Sequence, residues 1–155
     1  MRSLLSEERY EKCKRLSEEL LEVVDNDFDR VELLRTKANC ISALDTEQYS
    51  KSLYPLYYEA LILARKVNHL FELIQILTSL SLIEYFTLKN TEKAIEYLTE
   101  CLEKSKELND PYYIESTLIM LARVYYDSDN YFKALALLEE ALLYLDHINE
   151  DYVKD

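Results

Sequence analysis

The sequence predicts an all-α fold, a curved stack of helix pairs, on three observations. Its 155 residues include no glycine and two prolines, which leaves little material for tight β-turns. Between turn signals the apolar residues recur with helical spacing. Asparagine also returns at a near-constant interval: Asn26, Asn68, Asn109 and Asn149 lie 42, 41 and 40 residues apart. A period near 41 marks a helical array, in which each unit buries its face only by stacking on the next.

The elements follow in order. A first helix is expected over 6–24, with no partner before it. Three helix pairs follow: 29–44 with 47–67, 70–87 with 91–108, and 111–127 with 131–148. The whole chain reads as one domain, with repeats over about 28–67, 70–108 and 111–148 and a short tail at 149–155. The stretch ELNDPYY (107–113) shows the turn chemistry. A chain leaving a helix often needs one residue in the left-handed region, usually glycine, and Asn is the common substitute. Asn109 takes that place, Asp110 caps the next helix, and Pro111 sits at its first position, where a missing N–H is no loss. Asn26, Asn68 and Asn149 are read the same way, and Asn90 and Asn130 fall in the turns inside the pairs. Six of the seven asparagines thus stand in for glycine; the seventh, Asn39, falls inside a helix. Pro55 removes a backbone donor and should kink the second helix of its pair or delay its start.

Apolar stripes place the core. Leu118, Leu121, Ala122 and Tyr125 form one; Ala134, Leu138, Ala141, Leu142 and Leu145 form the next. The repeat shift maps the second onto Ala94, Leu98, Cys101 and Leu102, and then onto Leu53, Tyr57, Ala60 and Leu61. Small residues recur at Ala60, Cys101 and Ala141, and at Ala38, Ser81 and Ala122, where helices must approach closely.

Composition narrows the function. The chain carries 30 acidic against 18 basic side chains, a net charge of −12, which argues against nucleic-acid and anionic-membrane partners. Contiguous apolar runs such as Leu135–Leu138 fall far short of a membrane span. Met1-Arg-Ser-Leu-Leu passes at once into Ser-Glu-Glu, so no signal-peptide core is expected. Cys13, Cys40 and Cys101 are odd in number and widely spaced, which reads as reduced thiols in a cytoplasmic protein. Chemistry finds no foothold. Without glycine there is no phosphate-cradling loop and no nucleophile elbow. His69 and His147 fall at expected turns, away from any Cys or Ser partner. Asp127-Ser-Asp129-Asn130 opens like a calcium loop, but Phe132 and Leu138 stand where Gly and Glu are needed. No metal, no cofactor and no enzymatic activity are expected.

The stretch LARVYYDSDNYFKALALLEEAL (121–142) resembles the tetratricopeptide repeat consensus. It carries the leucine and small residue of helix A at Leu121 and Ala122, tyrosines at Tyr125 and Tyr131, and the helix B series Ala134, Leu138 and Ala141. Residues 80–102 match more loosely and 34–61 by register. The resemblance implies a right-handed α-solenoid that binds a protein or peptide in a concave groove lined by the A helices. At the family's groove positions stand Arg35, Asn39, Gln75, Thr78, Tyr85, Arg123 and Tyr126. Arg35 and Asn39 resemble the basic residue and asparagine with which some members grip a peptide; Ser79, Ser116 and Met120 leave that clamp incomplete.

One face breaks the repeat pattern. Phe132, Ala136 and Leu143 lie together on the last helix, where the preceding pair has Glu92, Glu96 and Glu103. Three covers fit: a second copy of the chain, another partner or a following domain, or the tail through Tyr152 and Val153. The resulting expectation is an adaptor that binds a partner protein or peptide and forms a homodimer through this surface. The alternative is a peptide-sensing module of a larger signalling or transcription system.

Overall fold

The computed structural model describes residues 4–45, 47 and 49–152, with side chains as far as Leu145. Seven α-helices follow one another: α1 (Leu4–Val23), α2 (Asp27–Leu44), α3 (Tyr54–Val67), α4 (Leu70–Leu82), α5 (Thr91–Leu108), α6 (Pro111–Asp127) and α7 (Tyr131–Tyr152). No strand occurs among the described residues. Each helix packs on the next, and α2 also touches α4, so the fold is an all-α solenoid. Pro55 sits in the first turn of α3, where its missing N–H costs nothing, and a short 3-10 turn (Lys51–Leu53) precedes it. The start of α3 is therefore delayed to Tyr54 rather than kinked.

The turns correct the expectation that six asparagines replace glycine. Asn68 (φ 49°) and Asn109 (φ 57°) do so between pairs, each closing the helix before it. The following N–H groups reach back over the reversal, from His69 to the Ala64 carbonyl at 3.1 Å and from Asp110 to that of Ser105 at 3.4 Å. Asn26, at φ −112°, instead caps the start of α2, its side chain accepting from the Asp29 N–H. Asn90 and Asn130 cap α5 and α7 by accepting from the Lys93 and Lys133 N–H groups, while Lys89 (φ 55°) and Asp129 (φ 61°) take the left-handed place just before them. The amide has two talents, and position decides which is used: last in the outgoing helix it reverses the chain, first before the incoming one it accepts. At Asn149 no turn forms. Backbone pairing in α7 runs through His147 and Asn149 to Tyr152, so the turn expected there is helix.

The core is distributed along the stack, as an array requires. Its largest part joins α2, α3 and α4 through Val31, Leu34, Leu61, Leu73 and Leu77, and reaches Tyr97 and Cys101 on α5. Leu98 packs with Leu121 and Val124, and Ile114 and Leu118 with Ala141. The small residues at 38, 60, 81, 101, 122 and 141 are all buried. Among the described residues, Leu70–Thr87 alone has the length and mean hydropathy (1.3) of a membrane span, which scanning for unbroken apolar runs overlooks. Half of it is buried between neighbouring helices, which accounts for its apolar character.

The last stripe needs correction. Ala134 and Ala141 are buried against α6, with Leu137 and Tyr144 packed beside them. Leu138 (44% exposed), Leu142 (59%) and Leu145, assigned to the core from sequence, face solvent. Their counterparts in α5, Leu98 and Leu102, lie in the seam that α6 covers, and no described element follows α7 to do the same.

Ion pairs repeat with the fold. Arg65 on α3 binds Glu100 on α5 (Nε–Oε1 2.9 Å), and about one period later Lys106 on α5 binds Glu140 on α7 at 2.9 Å.

Candidate functional site

The end of α4 departs from α-helical pairing. Over Ile83–Thr87 the backbone widens into a π-turn, with the Leu88 N–H bonding to the Ile83 carbonyl at 3.0 Å. Such turns hold one extra residue and often occur at functional sites. Here the insertion presents two neighbouring aromatic rings, Tyr85 and Phe86, whose centroids lie 4.8 Å apart edge to face. The connection between α2 and α3 closes over them. Tyr49, held at φ 60°, stacks on Phe86 at 5.0 Å, and its carbonyl accepts a 2.6 Å bond from the Thr87 hydroxyl. From α6, Arg123 lays its guanidinium over the same ring, 5.5 Å from the Phe86 centroid.

These groups enclose a pocket of about 210 Å³, floored by Leu82, Leu98, Met120 and Val124. A second hollow of about 230 Å³ adjoins it, sharing Tyr85, Phe86 and Arg123 and reaching Lys89 and Asp127. Tyr85 donates its hydroxyl proton to Asp127, whose carboxylate also lies 3.9 Å from Arg123 Nε. Burial and then the Asp127 carboxylate push the Tyr85 hydroxyl above its ordinary value, so it remains a donor. A wider groove of about 770 Å³ runs between α1 and α2, lined by Leu16, Leu20, Val23 and Leu33 with Arg9 and Lys12. Among the described residues no three His, Cys, Asp or Glu side chains converge as metal ligands.

Of the groove residues expected from sequence, Tyr85 and Arg123 meet in the aromatic pocket. Tyr126, one turn of α6 further on, packs edge-on to Tyr131 at 5.2 Å. Arg35 is committed elsewhere. It holds Glu72 of α4 through Nη2–Oε1 at 2.9 Å and a second bond from Nε. Asn39 accepts from the Tyr57 hydroxyl at 2.8 Å, which explains an asparagine inside a helix. Thr78 turns towards α5, its hydroxyl 3.6 Å from the Cys101 sulfur, and Gln75 stays half-buried on α4. On α7, Phe132 is 89% exposed and Ala136 and Leu143 are exposed beside it. Cover by the Tyr152 side chain and Val153 falls outside the described residues. Phe86, Tyr49 and Lys89 escaped sequence reading. Phe86 follows a groove position directly and would point elsewhere in an unbroken α-helix, and Tyr49 belongs to a connection with no repeat counterpart.

The profile of the tetratricopeptide repeat matches residues 116–143, covering most of α6 and the first half of α7. The fold is tetratricopeptide-repeat-like. The array superposes with a TM-score of 0.75 on a crystal structure from Pyrococcus horikoshii, at 21% sequence identity. That protein is a signal transduction ATPase with numerous domains that has a tetratricopeptide repeat sensor. The match takes in 90% of this chain and 21% of that one, so the array spans about a fifth of its structural neighbour. No curated protein sequence matches it.

Proposed function

We propose that the chain is a non-enzymatic scaffold that holds a protein or peptide partner on its A-helix face, with the aromatic pocket as the anchoring point. The pocket itself carries this reading: two successive A helices and the Tyr49 connection converge on an apolar hollow with a cation at its rim. Concave apolar sites with a few placed polar groups suit ligand capture. Its polar groups engage one another, Tyr85 with Asp127 and Arg123 with both Phe86 and Asp127, which suits recognition more than reaction. Gln75 and Tyr126 extend the same face, with Arg35, Asn39 and Thr78 contributing where their internal partners leave an edge free.

Selection from a random-peptide display library on the immobilised chain tests this reading. Binders should be retained by the wild type and lost with Tyr85→Ala plus Arg123→Ala. Binders indifferent to those changes, or none at all, would overturn it. We also propose self-association through Phe132, Ala136 and Leu143. The second reading, a sensing module within a larger signalling protein, draws on the structural neighbour, whose own repeats are described as a sensor.

A further inference from the structure

We propose that the pocket at the π-turn selects an extended peptide in which an aromatic or branched aliphatic side chain stands next to an acidic one. This rests on the function proposed above and adds the chemistry of the ligand. The depth of the pocket is apolar: Leu82, Phe86, Leu98, Met120 and Val124 leave about 210 Å³, room for one side chain. Beside them the Ser81 hydroxyl is already spent on the Thr78 carbonyl at 2.7 Å. A charged anchor entering there would lose its water without gaining a partner.

The rim has the opposite character. Arg123 lies over Phe86 with its side chain 66% exposed, and its Nε approaches Asp127 at 3.9 Å. Lys89, whose left-handed backbone makes the reversal into α5, also lines the outer hollow. Two cations thus line this hollow with one carboxylate, and that carboxylate is held by the Tyr85 hydroxyl. On a chain of net charge −12 this is a local positive spot, so it attracts acidic groups that the rest of the surface repels. Successive residues of an extended peptide advance by about 3.3 Å, so a carboxylate beside the anchor arrives at the rim, where a planar guanidinium can bind both oxygens.

The display selection, read at the level of sequence, tests the proposal. Peptides recovered on the wild type should be enriched in an apolar residue adjoining Asp or Glu. A synthetic fluorescent copy of the most enriched peptide should bind about tenfold more weakly when its acid is changed to the amide, the loss expected for one charge-assisted contact. Lys89→Gln or Arg123→Gln should erase that difference, and Arg123→Glu should shift enrichment towards Lys and Arg. Binders that depend on Tyr85 and Arg123 but lack the acidic neighbour would overturn this inference and leave the scaffold reading standing. Recovery of no binders would overturn both.

Discussion

Arg35 on α2 grips both carboxylate oxygens of Glu72 on α4 and draws the pair into the stack, where Glu72 is 2% exposed. The bonded Glu72 carboxylate raises the Arg35 pKa further above its already high value, so the guanidinium stays charged at every accessible pH. The contact fastens two successive A helices, and Phe71 lies 6.0 Å beneath the same guanidinium. Arg35 is therefore occupied before any partner arrives.

Removing one member strands the other. Arg35→Ala leaves Glu72 buried and unpaired, and should cost about 3–5 kcal/mol. For a domain of this size that lowers the melting temperature by about 10 °C. Replacing both, Arg35→Met with Glu72→Leu, should recover most of the loss, because the two desolvation terms vanish together. Scanning calorimetry of the three proteins checks it, and equal melting of Arg35→Ala and wild type would contradict a structural role for the pair.

The two uses of asparagine predict opposite rescues. At Asn68 and Asn109, Ala should cost about 1 kcal/mol and Gly nothing, since the left-handed backbone is what matters there. At Asn26, Asn90 and Asn130, Ala should again cost about 1 kcal/mol, but Asp should restore it by accepting the same N–H. Urea denaturation of these substitutions separates the classes. Aspartate restoring Asn68 and Asn109 fully while failing at Asn26 would reverse the assignment; glycine does not discriminate at the caps, where it costs only about a few tenths of a kcal/mol.

These residues also show how far the sequence could be read. Asn109 with Asp110 and Pro111 carries its instructions locally, so the turn and both flanking helix ends appear in the sequence. The period near 41 conveys the array for the same reason: every unit repeats the same local message. Glu72 was opaque because its partner lies 37 residues away and no spacing rule joins them. The aromatic pocket was half legible. Tyr85 and Arg123 sit at groove positions, but the π-turn that brings in Phe86 is a backbone accommodation with no residue signature. The outward face of Leu138 and Leu142 was misread because an amphipathic stripe records what a helix can bury, not what is there to cover it.

Cys40 should be slow to react. Burial, then the neighbouring Cys13 thiol, pushes its pKa up to about 12, so thiolate is scarce at neutral pH. Timed iodoacetamide labelling with mass spectrometry should modify Cys13 first and leave Cys40 and Cys101 protected in the folded chain, since burial raises the Cys101 value too. The sign for stability follows: the folded chain holds the Cys40 proton more tightly than the unfolded one. This contribution is complete below the ordinary thiol value of 9.0 and is lost as pH rises through about 12. Rapid labelling of Cys40 at neutral pH would contradict its placement.

Self-association can be tested without a ligand. Covering Phe132 and Leu143 would remove large apolar side chains from water, worth about 1.5–3 kcal/mol each when fully buried. A twofold pairing lets the same surface serve both copies. Light scattering at high micromolar concentration should show a dimer, and Phe132→Glu with Leu143→Glu a folded monomer. A wild-type monomer under those conditions would remove a second copy as the cover.

The recurring bridges between B helices give the stack a mechanical character. Arg65–Glu100, a two-bond contact, and Lys106–Glu140 cross successive joints as partly exposed pairs, of the kind that fades as salt rises. Along the A helices the joints are held by the sunken Arg35–Glu72 pair and by Tyr85–Asp127, beside packed rings. One edge is a clasp and the other a spring. Bending should therefore open the B edge about an A-edge fulcrum, with ionic strength setting the stiffness, so that the spacing of neighbouring A helices, and with it the mouth of the aromatic pocket, stays constant while the curvature of the whole flexes.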